Sequence, residues 1–255
     1  MAALTPILET MALRRVFGGL VAVQPVDFQL NPGEIRGIIG PNGAGKTTLV
    51  SMICGRIPPT SGRIVFRQRD ITKLRADERV RLGIVYTFQL VSVFKSLTAR
   101  ENVIVAAQRR LLAAPGSYLR LDRAVVTRHA QAALAEVGLH SIDARPAGVL
   151  PYGHQRLLEI AMALALRPQV LALDEPTQGL APHEVEALAA LIRDMAGRVA
   201  VLLIEHNMSF VLDVSHSVTV MDRGSIIAQG TPLEVERDPL VQGVYLGTYP
   251  GKRPI

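Results

Sequence analysis

A chain of 255 residues, 49% of them apolar, can fill one large α/β core or two modest ones, which excludes a staple-dependent miniprotein. Its net charge of +6 and isoelectric point near 9.9 suit an anionic ligand or surface. Only 4% of residues are aromatic and none is tryptophan, so a base-stacking reader of nucleic acid is not expected.

The first residues lack the apolar core and cleavage pattern of a signal peptide, and the longest apolar runs (161–166 and 199–204) are too short to cross a bilayer. The expectation is an intracellular protein that meets a membrane only through a partner. In the first third, residues 23–30 and 33–39 read as strands around the turn Asn31-Pro32. Residues 40–47 follow as Gly40-Pro41-Asn42-Gly43-Ala44-Gly45-Lys46-Thr47, the G-x-x-x-x-G-K-[ST] phosphate loop. Gly40, Gly43 and Gly45 let successive N–H groups turn inward on a triphosphate. Lys46 adds a cation for the β/γ oxygens, and the Thr47 hydroxyl suits Mg²⁺. The helix opening at Thr47 and Thr48 turns its positive end to the same anion. The chain holds four lysines against 24 arginines, so a lysine at this position is a pointed coincidence. The loop implies a nucleoside triphosphate. Cys54, the one cysteine, lies beyond it among Leu49, Ile53 and Ile57, and reads as a buried thiol in a reducing compartment.

Residues 62–67 read as another strand, and a short strand precedes Thr87-Phe88-Gln89. From about 98 to 138 the spacing turns helical, as in Ala130, Ala133, Leu134 and Val137, with a break at Pro115-Gly116-Ser117. Residues 170–173 form an apolar run ending in Asp174-Glu175, as a buried parallel strand does when its C-terminal edge faces a ligand. Beside a phosphate loop, Asp174 is predicted to hold Mg²⁺, through water, and Glu175 to polarise the attacking water. A helix over 185–195, a strand over 199–204 and a hairpin of 217–221 with 225–228 complete the alternation of a mostly parallel sheet with crossover helices.

Four segments share an order along the chain: Thr87-Phe88-Gln89, the run from Leu150 to Arg156 (LPYGHQR), Glu175-Pro176-Thr177 and Ile204-Glu205-His206. Together with the phosphate loop they resemble the ATP-binding subunits of ABC transporters over nearly the whole chain. The resemblance implies an α/β P-loop NTPase core of ABC type with an N-terminal antiparallel β-subdomain and a helical signature subdomain. One domain would span 1–255, with the helical part at about 92–165 and a C-terminal tail from about 230. It also implies that Gln89 touches Mg²⁺ and the nucleophilic water, that His206 contacts the γ-phosphate, and that Phe17 stacks on adenine. Gly153 and His154 would contact the ATP of a partner cassette in trans.

A finer resemblance, to the branched-chain amino-acid uptake subgroup, rests on Phe17-Gly18-Gly19-Leu20, on residues 83–89 (GIVYTFQ) and 202–208 (LLIEHNM), on Tyr152 and on Val244-Tyr245-Leu246-Gly247. It implies an ATPase coupled to import of branched-chain amino acids or related small amides. Two integral-membrane permeases, a second and different ATPase chain, and an extracytoplasmic solute-binding protein would be its partners. The chain would sit in the cytoplasm on the inner face of the membrane, and Leu90, Val91, Val93 and Phe94, just after Gln89, would dock a permease. Three positions depart from the family: Pro151 replaces a serine, His154 a glutamine, and Gln178-Gly179-Leu180-Ala181 lacks an aspartate. Pro151 keeps a low-turnover regulatory or binding subunit open, and a soluble non-transport ABC ATPase is the other alternative.

Overall fold

The computed structural model describes residues 5–111 and 122–246. The break at Pro115-Gly116-Ser117, Gly247 of the closing motif and the tail beyond it lie outside the described residues. In chain order the elements are β1 (Leu8–Phe17), β2 (Leu20–Leu30), β3 (Ile35–Ile39), α1 (Lys46–Ile53), β4 (Ser61–Phe66), β5 (Arg69–Asp70), α2 (Ala76–Leu82) and β6 (Ile84–Tyr86). Then come α3 (Ala99–Leu111), α4 (Arg123–Glu136), α5 (Tyr152–Ala165), β7 (Val170–Asp174), α6 (Pro182–Met195) and β8 (Ala200–Ile204). The described chain closes with α7 (Met208–Val214), β9 (Ser217–Asp222), β10 (Ser225–Gly230), α8 (Pro232–Arg237) and α9 (Pro239–Leu246).

Contacts divide the chain into two units, one running to Ala76 and resuming at Met195, the other from Asp77 to Asp194. In the first unit β2-β1-β4-β5 form an antiparallel sheet. Its strand β1 has no counterpart in the sequence reading, and the cause is a bulge. Pairing shifts register between Thr10 and Leu13, Ala12 adopts φ 45°, and its N–H is taken by the Asp27 carboxylate at 2.6 Å. The extra residue breaks the two-residue alternation that marks a strand. The same unit holds β10-β9-β3-β8, in which β3 runs parallel to β8 and β9 while β10 returns antiparallel. All five residues of β8 are buried, as a parallel strand covered on both faces requires.

In the second unit β6 pairs in parallel with β7, whose five residues are also all buried. Helices α3, α4 and α5 pack on one another, α4 through Val126, Ala130, Ala133 and Leu134. Asp122 caps α4 by accepting from the Ala124 N–H at 2.8 Å. The wholly buried Asn102 fastens the stretch before α3: its side chain accepts from the Phe94 N–H (2.7 Å) and donates to the Phe94 carbonyl (3.0 Å).

Candidate functional site

The phosphate loop of the first unit leaves the C-terminal end of β3 and enters α1. Two of its glycines are dictated by space as well as by dihedral. Gly40 has φ 147° and a Cβ there would stand 2.1 Å from the Met221 carbonyl; Gly45 has φ 98° and its Cβ would stand 2.5 Å from that of Ala22. Gly45 is the N-cap of α1 and offers no side-chain bond, and the first turn holds no acid, so no carboxylate of that turn offsets the positive end of the helix, which suits an anion. Lys46 is buried, and its Nζ donates to the carbonyls of Gly40 (2.8 Å) and Pro41 (3.0 Å), which arches the ammonium over the loop. The Thr47 side chain is exposed at the loop's mouth.

His206 belongs to the same sheet edge. Ile38 pairs with Ile204, so Gly40 and His206 each lie two residues beyond paired positions of parallel strands. His206 is exposed; its N–H is held by the buried Glu205 carboxylate at 3.0 Å, and Asn207 caps α7 through the Phe210 N–H. Phe17 closes β1 with 43% of its surface exposed, and the Arg15 guanidinium lies 4.3 Å from its ring centroid.

In the second unit Gln89, Asp174 and Glu175 come together at the C-terminal ends of β6 and β7, where Tyr86 pairs with Ala172. Asp174 is buried, and one carboxylate oxygen accepts from the Tyr86 hydroxyl. The Gln89 amide donates to Glu175 Oε2 at 2.8 Å. Glu175 is held at φ 49°, a left-handed conformation that costs an ordinary residue on the order of 1–3 kcal/mol and gathers at working sites. The hydroxyl of Thr47, the carboxylate of Asp174 and the amide oxygen of Gln89 are hard oxygen donors of the kind Mg²⁺ takes.

The loop before α5 stands apart from these groups along the chain. Pro151 caps the helix with no side-chain bond. Gly153 is buried, and a Cβ there would lie 1.9 Å from Oε1 of Glu184, whose Oε2 accepts from the Ala181 N–H at 2.8 Å. The glycine therefore has a packing reason inside its own unit. His154 is half-buried. Sequence reading gave no individual role to Tyr86, Glu184 or the buried pair Arg156 and Glu159. The last two had a signal: opposite charges at i, i+3 set among Leu157, Leu158, Ile160 and Ala161 on a strongly apolar helix.

A glycine-rich loop between a buried parallel strand and a helix, with acids ending a second parallel strand, is the arrangement of a phosphate-loop NTPase. The family model for the ABC transporter matches residues 23–178, and the chain belongs to that family. It is 41% identical over 251 residues to the high-affinity branched-chain amino acid transport ATP-binding protein BraF of Pseudomonas aeruginosa, covering 95% of this chain and 98% of that one. To LivG of Escherichia coli, of the same description, it is 38% identical over 251 residues with the same coverage. The solved ADP conformation of MJ1267, an ATP-binding cassette of an ABC transporter, superposes with a TM-score of 0.83 at 31% identity, covering 95% of this chain and 99% of that one. The chain is thus an ABC ATPase with the antiparallel β-subdomain and helical elements of that fold.

Proposed function

We propose that this chain drives an importer of branched-chain amino acids or related small amides. The single observation that carries the solute class is the near end-to-end match to BraF and LivG, 95% of the chain in each case. In this reading residues 1–255 work as one ABC ATPase domain. Residues 40–48 hold the triphosphate, and Lys46 exchanges its two loop carbonyls for β/γ oxygens. Phe17 stacks on adenine with one face while Arg15 keeps the other. Thr47, Asp174 and Gln89 hold Mg²⁺, which when bound neutralises charge on the phosphoryl oxygens. Glu175 takes the proton of the attacking water, the Gln89 amide orients that water, and His206 donates toward the γ-phosphate. Gly153 and His154 serve the site of a second, different cassette.

The surface supports the expected partners as well. Among the described residues no helix is long and apolar enough to cross a membrane. Leu90 is 78% exposed and Phe94 52%, and this patch directly follows Gln89, so a permease that covers it would sense the side chain that orients the attacking water. The chain is then peripheral on the cytoplasmic face, held by two permeases that receive solute from an extracytoplasmic binding protein.

The test is reconstitution of the chain with its permeases, second cassette and binding protein in vesicles, followed by ATP-driven uptake of labelled leucine, isoleucine, valine and short amides. Saturable uptake of one of these supports the reading. Steady hydrolysis without uptake of any of them would overturn the solute assignment and leave the ATPase intact.

A further inference from the structure

The backbone just after β6 has lost its ladder. Residues 88 and 89 present consecutive carbonyls to one side chain, whereas consecutive carbonyls of a strand point opposite ways. Both go to Arg156 of α5: Nη1 donates to the Phe88 carbonyl at 2.6 Å and Nη2 to the Gln89 carbonyl at 2.5 Å. Glu159, one turn along, completes the clamp. Its Oε1 accepts from the Phe88 N–H at 3.2 Å and its Oε2 from Arg156 Nη1 at 2.9 Å. Arg156 is fully buried and Glu159 nearly so. The side chain of the residue so gripped reaches Glu175, 86 positions away in sequence.

We propose that Arg156 and Glu159 are positioning residues for Gln89, fixing its backbone from the helix of the signature loop so that its amide meets the water-activating carboxylate. The inference rests on the roles proposed above for Gln89 and Glu175. Only a planar fork can hold two successive carbonyls in one plane, and a lysine ammonium reaches them as a point charge. Stability is a poor reason for the pair. A buried ion pair often does no better than apolar residues of the same volume. Here burial lifts the Glu159 carboxyl above the ordinary range despite Arg156 and the N–H groups of Phe88 and Ser92 beside it. What the pair supplies is a rigid join between α5 and the one peptide that carries Gln89.

The experiment is a double-mutant cycle on the assembled transporter, read by single-turnover hydrolysis and by ATP affinity. Arg156→Lys is expected to slow hydrolysis by about tenfold or more, the scale of a small misplacement of a reacting group, with ATP Kd unchanged within about twofold. Combined with Gln89→Ala it should add no further loss, because the side chain it positions is gone. Losses that multiply, or rate and affinity that fall together with the folded fraction, would overturn the proposal while leaving Gln89 in its role. If Gln89→Ala alone hydrolyses at the native rate, the role itself fails and the inference with it. Should Arg156→Lys not fold, Glu159→Gln enters the same cycle, since it keeps the volume and an acceptor for the Phe88 N–H while removing the charge that holds the guanidinium. A loss that disappears on the Gln89→Ala background supports the clamp; a loss of equal size on both backgrounds refutes it.

Discussion

The phosphate loop and the carboxylate site differ in how they are made. The loop is local: its donors are backbone N–H groups, and Gly40, Gly45 and Lys46 are fixed by neighbours within the loop or by carbonyls that press on it. The carboxylate site is assembled from a distance. Tyr86 reaches Asp174 over 88 residues, Gln89 reaches Glu175 over 86, and Arg156 reaches back 67 to the peptide that carries Gln89. The lesson is functional. A loop whose donors are its own backbone captures an anion through local geometry, while a site made of long-range contacts is sensitive to any motion that shifts one strand end or helix.

That contrast can be broken at either end. The largest effect belongs to Glu175→Gln. The amide oxygen still accepts from Gln89, so the geometry survives, yet the group no longer takes a proton; turnover should fall by at least about a hundredfold, the low end for general-base catalysis, in a phosphate-release assay. Lys46→Ala comes next. Hydrogen bonds to charged groups contribute about 1.5–3 kcal/mol each, so losing one weakens ATP binding by roughly ten- to 150-fold, read by calorimetry. Phe17→Ala removes a stacking face worth about 1–3 kcal/mol and should weaken ATP about fivefold or more with little change in the hydrolysis rate of saturated protein. The smallest effect is Pro151→Ser. Serine at the N-cap of α5 gains about 1 kcal/mol from its hydroxyl and gives back up to about 1 kcal/mol of the rigidity that proline lent. Thermal stability should therefore barely move, while turnover at the partner cassette's site rises a few-fold. A change confined to this chain's own nucleotide affinity would contradict the trans assignment.

The same contrast explains what the sequence made legible. The loop, the acids where β7 ends and the strands of the parallel sheet were readable because each is written in consecutive residues with a fixed period or spacing. His206 was singled out only through the family resemblance that Ile204-Glu205-His206 helps to carry. The ten-residue strand β1 escaped because its bulge at Ala12 spoils the alternation. Tyr86 and Glu184 escaped for another reason: an ordinary tyrosine and an ordinary surface acid acquire meaning only from partners the chain brings back from afar. Arg156 and Glu159 stood in plain view as a charged pair on an apolar helix. What spacing could not show is that their targets are the backbone atoms of residues 88 and 89.

The central claim is that capture belongs to the loop and hydrolysis to the carboxylate site. It is tested most directly by identifying the nucleotide that each variant retains after incubation with ATP and Mg²⁺ and rapid separation. Glu175→Gln should come through carrying unhydrolysed ATP at native stoichiometry, and Lys46→Ala should come through empty. ADP on Glu175→Gln, or full ATP on Lys46→Ala, would contradict the account.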